Sequence, residues 1–298
     1  GDAKWRTLTL PHDWSIEQNI DRNAPAGNDG GYYPTGIGWY RKNFKLPVSY
    51  HKGDKVQLYF EGIYMNSSVY VNGKRVGGHP YGYTSFLCDI TDAVLPGKNN
   101  VVAVRVDNAQ QKNCRWYSGS GIYRPVKLIC TSPVHIANWG VNVQTKQIAS
   151  SEATVVVFAK VKNETSVPKT VFLSTLLEKG EKQSSDKVVI PAGKELELSQ
   201  EIKVKRPKLW DLEHPNLYQA IVKVVDEDNK VLDETKQTFG IRELKFSTDG
   251  FFLNGKKVLI NGGCVHHDNG LLGAAAFGKA EERKVRLMKE AGFNAIRT

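Results

Sequence analysis

Near the end of this 298-residue chain, His266, His267 and Asp268 stand side by side, a few residues after the apolar stretch 258–260 and the glycines Gly262 and Gly263. Imidazole and carboxylate groups set together suit hydrogen bonding to ligand hydroxyls, the imidazole in either charge state. Metal ligation fits less well. Adjacent residues on an extended chain point to opposite faces, so His266 and His267 do not converge on one ion. The four cysteines, Cys88, Cys114, Cys130 and Cys264, show no metal-ligand spacing. Cys88 and Cys130 lie in apolar strand-like runs, as buried thiols do, and pairing stays open. No cofactor and no metal is expected. Arg297 ends the apolar run FNAIR. A cation at that position is costly without an anionic partner, and the sequence names none. Glu281 and Glu282 lie near the start of a helical pattern, where the helix dipole favours negative charge, and read as solvated helix residues.

Strands and a helix must position these groups. The β-branched run 258–260 reads as a strand. The segment 280–291 places Val285, Met288 and Ala291 at helical spacing, and Gly292 sits where a left-handed cap is usual. FNAIR (293–297) reads as a second buried strand. Strand, helix and parallel strand form the opening unit of an α/β domain. One such unit cannot cover both faces of a parallel sheet, so the chain is expected to be the front part of a longer protein. In β/α barrels the chemistry sits at the C-terminal ends of the strands. That is where 266–268 and Arg297 fall.

Upstream the chain is β-rich. From about 39 to 131, short alternating segments recur every 8–12 residues without helical period. Asn72-Gly73 between two strands gives a hairpin signal. The spacing indicates an antiparallel sandwich of the jelly-roll kind, wrapped by a Gly-, Pro- and Asn-rich opening over 1–38. A second set of six or seven strands runs from about 133 to 240, the size of an immunoglobulin-like domain. The expected domains are therefore 1–131, 132–240 and 241–298. Hydrophobic content of 40% and charged content of 24% are ordinary for core-forming protein. The net charge of +10 comes from dispersed lysines, which argues for solubility and against nucleic-acid binding. No apolar run approaches the roughly 20 residues that span a bilayer. The chain begins at Gly1, so a leader could have been removed. The sequence gives no firm compartment, with periplasm or exterior slightly favoured over cytoplasm; the sequons at Asn66 and Asn163 are short matches of a kind that often arises by chance.

Six ordered motifs carry a resemblance: PHDW (11–14), VYVNGKRVGGHPYGYTSFLCDIT (69–91), SGSGIYRPVKL (118–128), PKLWDLEHPNLY (207–218), FGIRELKFSTDGFFLNGKKVLINGGCVHHD (239–268) and NAIRT (294–298). In that order they resemble the N-terminal part of glycoside hydrolase family 2, the family of β-galactosidases, β-glucuronidases and β-mannosidases, over essentially the whole chain. The resemblance implies a jelly-roll sugar-binding sandwich, an immunoglobulin-like sandwich and the first strand–helix–strand of a β/α (TIM) barrel. It implies a retaining exo-β-glycosidase whose two catalytic glutamates lie beyond residue 298, so that this chain alone is inactive. The HHDNG variant is most similar to β-galactosidases. The substrate is then a carbohydrate, and a homo-oligomer is compatible with the family. By position, His267 and Asp268 would hold the cleaved sugar and Arg297 would support the nucleophile. Arg115, Trp116 and Tyr117 occupy a loop that would reach the barrel mouth, where an aromatic could stack on sugar C–H faces and an arginine could donate to hydroxyls. Better-known relatives carry a carboxylate at the place of Arg115, and packing between domains remains an alternative for Trp116 and Tyr117. Tyr123 and Arg124 read as structural. A non-catalytic carbohydrate-binding sandwich protein, or a β-glucuronidase or β-mannosidase, are the competing functions.

Overall fold

A computed structural model describes residues 4–114, 116–177 and 182–298. The chain falls into two compact units, residues 1–130 with 261–298, and residues 131–260. In the first, seven strands build two sheets: β1 (Ile37–Phe44), β2 (Lys55–Phe60), β3 (Ser67–Val71), β4 (Lys74–His79), β5 (Phe86–Asp89), β6 (Asn100–Asp107) and β7 (Val126–Thr131). Their order is β1-β6-β3-β4 in one sheet and β5-β2-β7 in the other. Alternation explains the core. Val56, Leu58 and Phe60 on β2 are buried, while Lys55, Gln57 and Tyr59 between them are half-exposed. Each such side chain taken from water stabilises the fold by about 1.5–3 kcal/mol. The β3–β4 turn has Asn72 and Gly73 at φ 50° and 84°, the left-handed pair that a two-residue hairpin needs. The described part of the opening segment holds two short 3₁₀ turns, Ser15–Glu17 and Asn28–Gly30, and no strand before Ile37.

The second unit is another sandwich. Its strands are β8 (Val134–Ile148), β9 (Glu152–Asn163), β10 (Lys169–Leu177), β11 (Lys182–Ser184), β12 (Val188–Ile190), β13 (Lys194–Lys205), β14 (Tyr218–Asp226) and β15 (Val231–Phe239). One sheet runs β13-β9-β8 and the other β11-β10-β14-β15, with β12 also on β10. Val155, Val157 and Val161 on β9, Leu173 on β10, and Val222 and Val224 on β14 are fully buried. The extra strands over the six or seven expected are β11 and β12, three residues each, too short to show a period. Asn163 of the second sequon is fully buried, and its amide donates to the carbonyls of Val167, Ile190 and Pro191. It is a structural staple without room for a glycan. A meander of β16 (Leu244–Ser247), β17 (Gly250–Leu253) and β18 (Lys256–Val258) completes the unit.

The remaining elements belong to the first unit: β19 (Gly262–Cys264), α1 (Gly278–Glu290) and β20 (Ala295–Arg297), with β19 and β20 paired in parallel. Strand–helix–parallel strand is thus present, but its first strand is not 258–260. Val258 ends the antiparallel meander, and Leu259 and Ile260 are 85% and 57% exposed. Close approach decides the strand's place: a Cβ at Gly262 would lie 2.5 Å from the Ala295 carbonyl oxygen. Gly292 follows the helix with φ 87°. No residue of α1 is buried, and Val285 and Leu287 stay 55% and 40% exposed. The parallel pair is a two-stranded sheet, and no barrel closes among the described residues. No described helix is long and apolar enough to cross a membrane.

Candidate functional site

The loop after β6 is built by one asparagine. Asn108, 2% exposed, donates its amide to the Gly119 carbonyl (3.1 Å) and to Ser120 Oγ (2.8 Å). Its Oδ1 accepts from Gln111 Nε2 (3.0 Å) and Asn113 Nδ2 (2.6 Å). One side chain therefore ties both ends and the middle of 108–120. Asp107 prepares the turn by accepting from the Ala109 N–H, and that bond, with Arg105 beside it, holds its carboxyl below the usual range.

This loop meets the loop that follows β19. Trp116 Nε1 donates to Asp268 Oδ1 at 3.1 Å, and its ring stacks on His266 with centroids 4.3 Å apart and planes 18° apart. His267 Nε2 lies 3.0 Å from the Ser118 carbonyl oxygen. A carbonyl only accepts, so that nitrogen carries the proton. The ring sits against the edges and faces of Tyr83 and Tyr123, at 5.2 and 5.6 Å. Burial is the main influence on His267 and pushes its pKa down; the Ser118 bond and Asp268 oppose that only in part. The imidazole is accordingly neutral at neutral pH. Tyr123 is fully buried and donates to the Gly82 carbonyl (2.8 Å).

Of the residues singled out from sequence, the structure brings together His267, Asp268 and Trp116. Arg115 lies outside the described residues. Arg297 ends β20 exposed, and among the described residues its guanidinium has no hydrogen-bond or ion-pair partner. Tyr117 gives its hydroxyl to Asp13 Oδ2 at 2.5 Å. Glu281 bonds Asn269 Nδ2 (2.6 Å) and Lys284, and Glu282 bonds Lys279, so both are engaged on the helix. All four cysteines are free thiols; Cys88 is buried, which raises its pKa to about 11, and Cys130 is half-buried. No group of three or more His, Cys, Asp or Glu is arranged for a metal among the described residues.

Sequence reasoning missed Asp13, which it noted only within PHDW. The carboxylate is 2% exposed and accepts four hydrogen bonds: Ser15 N (3.0 Å) and Ser120 N (2.9 Å) on Oδ1, Tyr117 Oη (2.5 Å) and Ala274 N (2.9 Å) on Oδ2. The available signal was an acidic residue between two aromatic rings in a segment with no strand pattern. Beside it a narrow cleft lined by Tyr33, Asn108, Trp116, Tyr117 and Ser118 has an interior of about 20 Å³, room for a water molecule and not for a sugar ring.

Known proteins resemble this chain along essentially its whole length. The sugar binding domain of glycosyl hydrolases family 2 matches residues 6–133, and a second model of the same family matches 134–242. The chain is 42% identical over 305 residues to beta-galactosidase BoGH2A of Bacteroides ovatus, covering 99% of this chain and 35% of that protein. It is 33% identical over 307 residues to a beta-glucuronidase of Bacteroides fragilis, covering 98% of this chain and 43% of that protein. A solved structure of a glycosyl hydrolase family 2 member from Bacteroides cellulosilyticus superposes with a TM-score of 0.94 at 42% identity, over 100% of this chain and 39% of that one. The chain thus spans well under half the length of these relatives. Two models of one family follow each other through both sandwiches, and the likeness continues through the parallel strands: the chain belongs to glycosyl hydrolase family 2.

Proposed function

We propose that this chain supplies the sugar-holding end of a retaining exo-β-glycosidase that removes terminal β-linked sugars, β-galactosides first among them. One observation carries the reading. Asp268 and His267, on the loop after a parallel strand, are each held by the sandwich loop 116–118 through a single hydrogen bond. Asp268 keeps a second carboxylate oxygen for a sugar hydroxyl. His267, neutral and with its Nε2 proton committed, has Nδ1 left as an acceptor. Both groups are oriented before any ligand arrives, so little entropy is lost on binding. Hydrolysis with retention needs two carboxylates about 5–5.5 Å apart as nucleophile and acid/base. Glu281 and Glu282 are engaged on α1, and the resemblance assigns the pair to later barrel strands of the whole protein. This chain then binds and orients, and Arg297 at the second strand end would hold the nucleophile ionised.

Likeness to a protein named beta-galactosidase favours galactosides, relatives named beta-glucuronidase keep glucuronides as an alternative, and the family resemblance adds mannosides. The parallel pair β19–β20 argues against a sandwich that only binds carbohydrate, since a free-standing lectin has no use for it. The test is turnover of nitrophenyl β-galactoside, β-glucuronide and β-mannoside by the full-length protein. His267→Ala and Asp268→Ala should each lower kcat/KM by about 100-fold or more, roughly 2.7 kcal/mol. Absence of turnover on all three sugars overturns the enzyme reading. Unchanged kinetics in both folded variants would mean that the loop only caps the barrel.

A further inference from the structure

We infer that Asp13 is a positioning residue for the sugar site: it fixes the register between the sandwich loop 116–120 and the segment bearing His267 and Asp268, and so governs turnover without touching sugar. The inference rests on the reading of His267 and Asp268 as sugar-holding groups. Its four donors come from three stretches of chain: Ser15 beside it, Tyr117 and Ser120 in the sandwich loop, and Ala274 after the histidines. Ionised carboxylate is the side chain with acceptor sites enough for four converging donors. Among the described residues no cation forms an ion pair with it, so these bonds alone offset its burial.

The surroundings leave no slack. A Cβ at Gly119 would lie 2.5 Å from Asp13 Oδ2, and one at Gly273 would collide with the same oxygen. Both glycines have positive φ, 69° and 58°, which favours the same residue independently. From Oδ2 the geometry runs two ways. Through Tyr117 it reaches Trp116 and Ser118, which hold Asp268 and His267. Through Ala274 it reaches Gly273, whose carbonyl accepts from Asn269 N at 2.7 Å, next to Asp268. The two hydrogen bonds that orient the sugar-holding pair are thus spanned by a single oxygen atom. A misplacement near 1 Å at a reacting centre can cost about 10²-fold.

Asp13→Asn is a narrow cut. The amide keeps the shape and one acceptor oxygen, which can still serve Ser15 and Ser120. The NH₂ in place of Oδ2 cannot accept from Ala274 N–H. In the full-length enzyme this variant should stay folded by circular dichroism and lose about 10- to 100-fold in kcat/KM. Tyr117→Phe removes one of the four donors and should lose less, about 3- to 10-fold; it carries the test if Asp13→Asn does not fold. The decisive readout is coupling, measured with an activated aryl glycoside. In the His267→Ala/Asp268→Ala background the same substitution should cost less than about threefold, because what it positions is gone. Wild-type kcat/KM in both folded variants overturns the inference, as does an equal loss in both backgrounds, the mark of a merely structural residue. If His267→Ala and Asp268→Ala themselves leave turnover unchanged, the sugar-site reading fails first and this inference falls with it.

Discussion

The two β-sandwiches of this chain bury their polar groups in different ways. In the unit of residues 131–260, buried polar side chains are scattered among valines, alanines and leucines. Asn163 serves its own turn, while Thr175 Oγ1 and both amide atoms of Gln200 have no partner among the described residues. In the unit containing residues 1–130, Asp13, Ser15, Asn108 and Ser120 are bonded to one another at one cluster of loops. Layered sheets packed on an apolar core support either arrangement. A satisfied buried network fixes loop geometry, whereas isolated buried polar atoms only lower stability. Loops held that firmly can present side chains to a ligand; a dry sandwich can act as a spacer.

The sharpest way to break this contrast is to damage each unit separately in the full-length protein. Leu173→Ala, at a fully buried position of β10, should cost about 2–5 kcal/mol of stability in denaturant unfolding. It should leave kcat/KM of the folded protein unchanged; a large kinetic loss would mean that the second sandwich does more than support. Asn108→Ala should cost less, about 1–3 kcal/mol from the bonds lost and the groups left unpaired, yet lower kcat/KM as well, because the loop that holds His267 and Asp268 loses its staple. Normal turnover with reduced stability would make the polar web ordinary packing.

A smaller effect concerns pH. Burial lowers the His267 pKa in the folded state, so the unfolded chain takes up the proton first as pH falls. The stability contribution is whole above the unfolded value of about 6.5 and is lost as pH drops from there through the lower folded value. His267→Gln should flatten stability against pH across that window while sparing the rest of the acid limb. An unaltered curve would show that the imidazole titrates normally. Smallest is Thr175→Val, which removes a buried hydroxyl without a partner among the described residues. It should raise stability by up to about 1 kcal/mol, and a loss of that size would reveal a hydrogen bond to solvent.

What could be read in advance depends on where partners lie along the chain. Both sandwiches were legible because strand alternation is local: Val56, Leu58 and Phe60 announce their own face. The parallel unit was legible for the same reason, but its first strand was placed on 258–260, where apolarity is greatest, and the chain instead pairs where Gly262 allows close approach. His267, Asp268 and Trp116 were visible as chemical types in loops. The hydrogen bonds among them were not, since Trp116 and Asp268 stand 152 positions apart. Asp13 escaped altogether, for Ser120 and Ala274 are 107 and 261 positions away, and no window on a sequence spans that.

That last separation also has a meaning during synthesis. Ribosomes add roughly 5–20 residues per second, so Ala274 follows Asp13 by about 13–52 s at that pace. All seven strands of the first sandwich, complete at Thr131, have emerged long before then, and sheets of this kind form in milliseconds to seconds. A folded sandwich therefore waits with Asp13 Oδ2 holding the Tyr117 hydroxyl and lacking its second donor. The arrival of residue 274 closes it, so the loop bearing His267 and Asp268 is tied to the sandwich only once the last segment of the same unit has left the ribosome.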